Sequence, residues 1–415
     1  MIFIVAALNP WSNFGLNDLD SQPWPLLGGL LFCFSSRHLR TPPFFAGMCL
    51  SLFLGVALAM AVEPGSPGTA RAVVSYLTII VCYFAFFNYV ILHGFPTRIF
   101  VILNLIWLGV GVLELFNPTL SDMISKNRTT LNRGVTSMSP EPTHFGIFLF
   151  FMTWLLLASR NYRPSHLILA LCLANLIAIF ALAKASMVIM ILIISLGIVG
   201  VAMLFRWIAT KGRARGRIVL LGLSGLLALG AIVLVNVTFP DSRVSQITSR
   251  ALENSPMDLV LRDASINQRL EAIVYSYYGF LHNWMFPGGF DTFLTMQAEL
   301  QLFWGDIFWY PVFHNKIMSW SGGVIYELGI FGAVFILMLF LASQRGGFFS
   351  KREAVVLFVV LLTAIPPAFP LVPMLFALWA AQRYATPSRS INQNIRVGVN
   401  LAANVYDHSL GRNRG

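Results

Sequence analysis

The chain has 415 residues, 57% of them hydrophobic and 11% charged, with a mean hydropathy of +0.73. Soluble domains carry about 25% charged residues, so this composition excludes a water-solvated surface and predicts a membrane protein. The net charge of +11 lies in short connectors beside apolar runs, with no soluble basic domain around it, which speaks against a nucleic-acid partner.

Residues 1–8 are apolar but have no basic flank before them, so they read as the stub of a first span and not as a secretory signal. Apolar runs then recur at the length that crosses a hydrocarbon core about 30 Å thick. They predict spans at 24–36, 42–62, 71–92, 99–116, 142–159, 166–182, 186–205, 218–237, 322–343, 354–366 and 367–381. The 166–209 stretch is too long for one crossing and is divided near Ala183-Lys184-Ala185. Pro366-Pro367 with Pro370 predicts a tight hairpin or re-entrant turn between the last two spans. The expected fold class is all-α, a polytopic transmembrane helix bundle of about 11–12 spans.

Basic clusters at Arg37 and Arg40, Arg160 and Arg163, Lys211 to Arg217, and Arg345 to Arg352 orient the chain, because such residues stay cytoplasmic. Residues 1–237 become the N-terminal membrane helices, with an outer loop at 117–141. Residues 238–321 form a large periplasmic loop, too long for a plain connection. Residues 322–381 are the C-terminal membrane helices, and 382–415 a basic cytoplasmic tail. Cys33, Cys49, Cys82 and Cys172 all lie in or beside apolar runs and imply no disulfide framework.

Within the large loop, Ser265-Ile266-Asn267-Gln268 has the form of a capping box that starts a helix. Ile266, Leu270, Ile273, Val274, Tyr277 and Leu281 follow at helical spacing as one apolar stripe, and Pro287-Gly288-Gly289 ends the segment in a turn. Such a helix lies on the membrane surface or caps a cavity.

Several residues suit chemistry at the outer mouth of a cavity. His314, in Phe313-His314-Asn315-Lys316, has the side chain for a proton acceptor, with an ordinary pKa of about 6.5; its bland alternative is an interfacial histidine. Arg269 and Arg133 carry guanidinium groups suited to pyrophosphate, or to surface ion pairs. Glu141, in Ser139-Pro140-Glu141-Pro142-Thr143-His144, is either a helix N-terminal residue or a carboxylate facing the cavity. Lys184 interrupts an apolar stretch and either snorkels or faces a cavity. Tyr275, Tyr277, Tyr278, Trp284, Trp304, Trp309, Tyr310 and Trp320 suit sugar stacking or a membrane-interface belt. No nucleotide or zinc motif occurs. Asp18-Leu19-Asp20 has the spacing of some metal-binding carboxylates, a match that chance readily supplies.

The pattern resembles the O-antigen polymerase and ligase superfamily. The likeness rests on the many spans and on a late outer loop with Ser265…Arg269 running into Pro287-Gly288-Gly289. His314-Asn315 ahead of Glu327-Leu328-Gly329…Gly332, Glu141-Pro142-Thr143 and Ala183-Lys184-Ala185-Ser186 complete it. The resemblance implies a metal-independent, cofactor-free inverting transfer in the bacterial inner membrane. Donor and acceptor would be glycans on undecaprenyl pyrophosphate, and a chain-length regulator is a possible partner. His314 and Glu141 would be catalytic, and Arg269, Arg133 and Lys184 would hold pyrophosphate. Glu327, Ser265 and His144 would support them. The spacing from His314 to the Glu327 element is longer than in many ligase-type members. On one continuous helix it sets the two about 220° apart, off a shared face. The alternatives are an O-antigen ligase acting on lipid A core, and, from another class, a transporter of lipid-linked sugars or solutes.

Overall fold

The computed structural model describes residues 1–11, 22–65, 67–118, 124, 134–209, 245, 256–310, 317–344, 348–363 and 365–384. The predicted span at 218–237, the tail from 385, most of the 117–141 loop, Asp18-Leu19-Asp20, Arg133 and His314 lie outside these residues.

Among the described residues every regular element is helical: α1 (Ile2–Ala7), α2 (Trp24–Ser35), α3 (Phe45–Val62), α4 (Pro67–His93), α5 (Thr97–Phe116), α6 (Pro142–Ser159), α7 (His166–Ala178), α8 (Ser186–Ala209), α9 (Pro256–Arg262), α10 (Ala264–His282), α11 (Phe293–Trp304), α12 (Trp320–Ser343) and α13 (Phe348–Leu361), with a last helix, α14, at 371–384. Six of them are long and apolar enough to cross a membrane: α3, α4, α5, α6, α7 with its continuation to Ala183, and α12. Their outward faces carry bare apolar side chains such as Phe53 (70% exposed) and Leu167 (67%). In water such a surface would drive association; against acyl chains it costs nothing. The protein is a multi-pass membrane protein, helical throughout its described regular structure.

The stub at 1–8 becomes the six-residue α1, too short to cross, whose Phe3 and Ala6 lie against Gly28 of α2. Helix α3 presents a small residue every fourth position, Gly47, Ser51, Gly55 and Ala59, and this stripe lets α12 approach closely. A Cβ on Gly55 would meet Leu328 and Phe331, one on Gly47 would meet Met338, and Ser51 Oγ donates to Phe331 O at 2.7 Å. The two helices therefore run antiparallel with their centres together. Deeper in the bundle, Asn104 of α5, Asn175 of α7 and Thr153 of α6 share hydrogen bonds of 2.8–3.2 Å, polar glue where lipid offers no partner. Trp107 stacks on Phe148 at 4.0 Å and fixes α5 against α6.

The division near Lys184 is present. A π-helical turn, Ile179–Ala183, ends at Lys184 in the left-handed region (φ 45°, ψ 34°), and α8 starts at Ser186. The Pro366-Pro367 hairpin is also present: Phe369 N bonds Pro366 O at 3.0 Å, and the connection joins α13 to α14. One loop reading needs correction. The cap of α10 is Asp263, whose carboxylate accepts from Ser265 N and Ile266 N, so Ser265 lies inside the helix and the capping box does not form. The predicted apolar stripe of α10 is half-buried, and a second face of the helix packs inward. It carries Asn267, Glu271, Ala272, Tyr275, Ser276 and Gly279, while Leu281 is 60% exposed. Asn267 can face inward because it donates to Val260 O and Ile307 O and accepts from Tyr310 N.

Candidate functional site

Two polar centres form, one at the end of the bundle where α5 ends and α6 begins, the other deeper, beside the middle of α12. The first is a saddle made by residues 134–144. Gly134 (φ 120°) brings the chain so close to the carbonyl of Ala183 that a Cβ would stand 2.3 Å from that oxygen. Val135 N then donates to Leu182 O at 2.9 Å. Next the chain is clamped on Glu114, near the end of α5. The buried carboxylate accepts from Thr136 N, Thr136 Oγ1 and Ser137 N at 2.6–3.1 Å. Ser137 (φ 55°) donates its hydroxyl to Trp107 O at 2.7 Å. Ser139 Oγ lies 2.8 Å from both Thr136 O and Glu141 O.

The clamp delivers the chain to Pro142, which starts α6 with its ring at a position needing no N–H donor. Glu141 is the N-cap residue, yet its side chain makes no cap hydrogen bond. It is 42% exposed, and its Oε2 lies 3.8 Å from His144 Nδ1. The imidazole rests against Trp11, with ring centres 5.3 Å apart, and Trp11 stacks on Phe369. Trp11 Nε1 is buried without a hydrogen-bond partner among the described residues. Lys184 follows directly on Leu182 and Ala183, whose carbonyls meet Val135 and Gly134, and its side chain is exposed.

The second centre surrounds a break in α12. Gly329 has φ 59° and ψ −141°, outside any helix. Into the break fits the turn that follows α10: Gly288 N donates to Tyr326 O and Ile330 N to Met285 O, both at 2.8 Å. Thus Pro287-Gly288-Gly289 and Tyr326-Glu327-Leu328-Gly329, far apart in sequence, are two halves of one joint. Glu327 Oε2 accepts from Tyr76 OH at 2.6 Å, and Arg71 and Asp291 are near enough to act on its charge. Asp291 Oδ2 in turn accepts from Gly68 N at the start of α4. The helical-wheel separation of His314 and Glu327 does not apply, because α12 begins only at Trp320.

Of the expected site residues, Glu141 and His144 lie together in the saddle, Lys184 follows the Leu182–Ala183 segment on which the saddle rests, and Glu327 sits at the joint. Arg269 and Ser265 are half-buried on α10. Tyr275 and Trp320 are fully buried, so neither can stack on a sugar or serve an interface belt, whereas Trp284 is 86% exposed. Sequence reasoning passed over Glu114, Arg71, Asp291 and Tyr76. The signal for the first two was available, since a charge within or beside an apolar run is costly and marks a partner. It also missed Glu271, which is buried on α10 with Oε2 lacking a hydrogen-bond partner among the described residues. Burial pushes its carboxyl up from 4.5 to about 7.

No family model matches the chain, and no curated protein or solved structure matches it either.

Proposed function

We propose that the protein is a membrane glycosyltransferase that polymerises oligosaccharide repeat units carried on undecaprenyl pyrophosphate, at the periplasmic face of a bacterial inner membrane. One observation supports this reading above the others. The Glu141-Pro142-Thr143 element and the Lys184 step, two of the segments that carry the family resemblance, are tied together by the 134–139 saddle. In this reading His314 takes the proton of the acceptor hydroxyl, and the acceptor oxygen attacks the anomeric carbon with inversion. The bond from that carbon to the pyrophosphate oxygen breaks. Arg269, Arg133 and Lys184 offset the charge on the departing pyrophosphate, which leaves without a general acid. Glu141 and His144 orient the acceptor, and Glu327 and Ser265 support the frame.

The test is incubation of the purified protein with lipid-linked repeat units alone. A ladder of lengthened glycans supports polymerisation. Elongation that waits for added lipid A core assigns the ligase reaction instead. A second reading has its own observation. Gly329 breaks a crossing-length helix near its middle, beside Glu327 and Arg71, and discontinuous spans with charged side chains are how transporters hold substrates. Uptake of lipid-linked sugars by proteoliposomes, with glycan length unchanged, would favour it.

A further inference from the structure

The turn after α10 has a location that its sequence position, inside a long polar-looking loop, does not suggest. Its tip docks at the centre of a crossing-length helix. Met285 O accepts from Ile330 N, ten residues after the start of α12 and so ~15 Å along it at 1.5 Å per residue. The packing of α3 fixes the same level independently. Ser51 and Gly55, either side of the middle of α3, meet Phe331 and Leu328. Leu328 to Phe331 therefore mark the midplane of two paired helices that each match a hydrocarbon core in length.

Backbone at that depth has no water to bond, so irregular chain survives there only if its polar groups are satisfied within the protein. The tip meets this condition. Asn283 N bonds Gly279 O, Trp284 N bonds Leu281 O, Met285 N bonds Phe280 O and Phe286 N bonds Asn283 O, at 2.9–3.1 Å. Pro287 has no N–H, and Gly288 N bonds Tyr326 O.

The side chains agree. Leu281 (60% exposed), Trp284 (86%), Met285 (46%) and Phe286 (66%) all project outward and are all apolar. The one ionisable side chain among residues 281–290, His282, is also exposed and stacks on the exposed Tyr278 ring with centres 6.0 Å apart. The bare face is continuous with the outward faces of the crossing helices: Ile330 is exposed next to the tip, and Val62, at the end of α3, lies against Gly289. We propose that residues 281–290 enter the bilayer as a re-entrant hairpin, and that acyl chains of the surrounding leaflet cover Leu281, Trp284, Met285 and Phe286. The joint at Gly329 is what anchors the hairpin at that depth. The assignment does not depend on the glycosyl-transfer reading.

The test is spin labelling of the full chain in vesicles of phosphatidylethanolamine and phosphatidylglycerol, with the four native cysteines replaced. Labels go on Phe286→Cys and, as a second probe, Trp284→Cys; both side chains are mostly outside the core, so the fold should tolerate either. Glu299→Cys, exposed on α11, is the aqueous reference. The hairpin predicts that labels at 284 and 286 collide with dissolved oxygen several-fold more than with a water-soluble nickel chelate, and that the label at 299 shows the opposite preference. Nickel access at 286 equal to that at 299 would overturn the proposal. So would loss of both kinds of collision together with dipolar broadening between labels, which would put a second copy of the chain on this face.

Discussion

Substituting Gly329 by alanine probes the joint between the 285–289 turn and α12. Two costs follow from the structure. The backbone at φ 59°, ψ −141° suits glycine alone, and holding another residue there costs about 1–3 kcal/mol. The new Cβ would also stand 2.6 Å from Met285 O, Phe286 C and Pro287 N. These are backbone atoms with no rotamer to change, so the turn must move away. Leaving breaks the Gly288–Tyr326 and Met285–Ile330 hydrogen bonds, each worth about 0.5–1.5 kcal/mol. The sum is about 4 kcal/mol of local opening free energy. At 1.4 kcal/mol per tenfold, amide exchange at Gly288 and Ile330 should accelerate by two to three orders of magnitude. Amides in the α5–α6 contact around Trp107 and Phe148 should hardly change. Unaltered protection at Gly288 in a folded Gly329→Ala protein would refute the reasoning, because it would mean the turn does not rest in the break.

Two further predictions concern buried acids. Glu271, held near 7 by burial, keeps its proton in the folded state after the unfolded chain has lost it at about 4.5. Stability therefore falls as pH rises from about 4.5 to 7, by roughly 3 kcal/mol at 1.4 kcal/mol per pH unit. Glu271→Gln should flatten that dependence and raise the unfolding midpoint at pH 8; an unchanged pH profile would count against the buried, uncompensated carboxyl. Glu114→Ala leaves Thr136 N and Ser137 N without their acceptor, at roughly 3–5 kcal/mol for charge-assisted bonds. Exchange at those two amides should rise sharply and glycan elongation should fall at least tenfold, with Glu114→Gln milder on both. Protection that survives in the alanine variant would remove Glu114 as the clamp.

The membrane character, the break at Lys184 and the proline hairpin at 366–370 were legible in the sequence because each follows from a local rule: span length, a charge in an apolar run, proline geometry. The loop helix was misread for a physical reason. Ser265 and Asp263 are both good caps, and the Ser-x-x-Gln pattern favoured the wrong one. The inward face of α10 was not legible, because Asn267 is buried through bonds to 260, 307 and 310, which no periodicity reveals. The small-residue stripe of α3 was readable as a close helix contact, but only the structure supplies its partner. The joint at Gly329 lay beyond sequence reasoning altogether, since each of its halves looks like an ordinary turn or an ordinary glycine in a span. The saddle is an intermediate case. Glu141 and Lys184 stand out one by one, whereas the Glu114 clamp that relates them depends on a loop folding back over the end of α5.

The most direct measurement of the central claim is glycan length after the purified protein acts on undecaprenyl-pyrophosphate-linked repeat units in vesicles. The account predicts a ladder from the unaltered chain, and no elongation from His314→Ala or Arg269→Ala at equal protein yield. A normal ladder from either variant would contradict the site assignment, and no ladder from the unaltered chain, with or without lipid A core, would contradict the proposed activity itself.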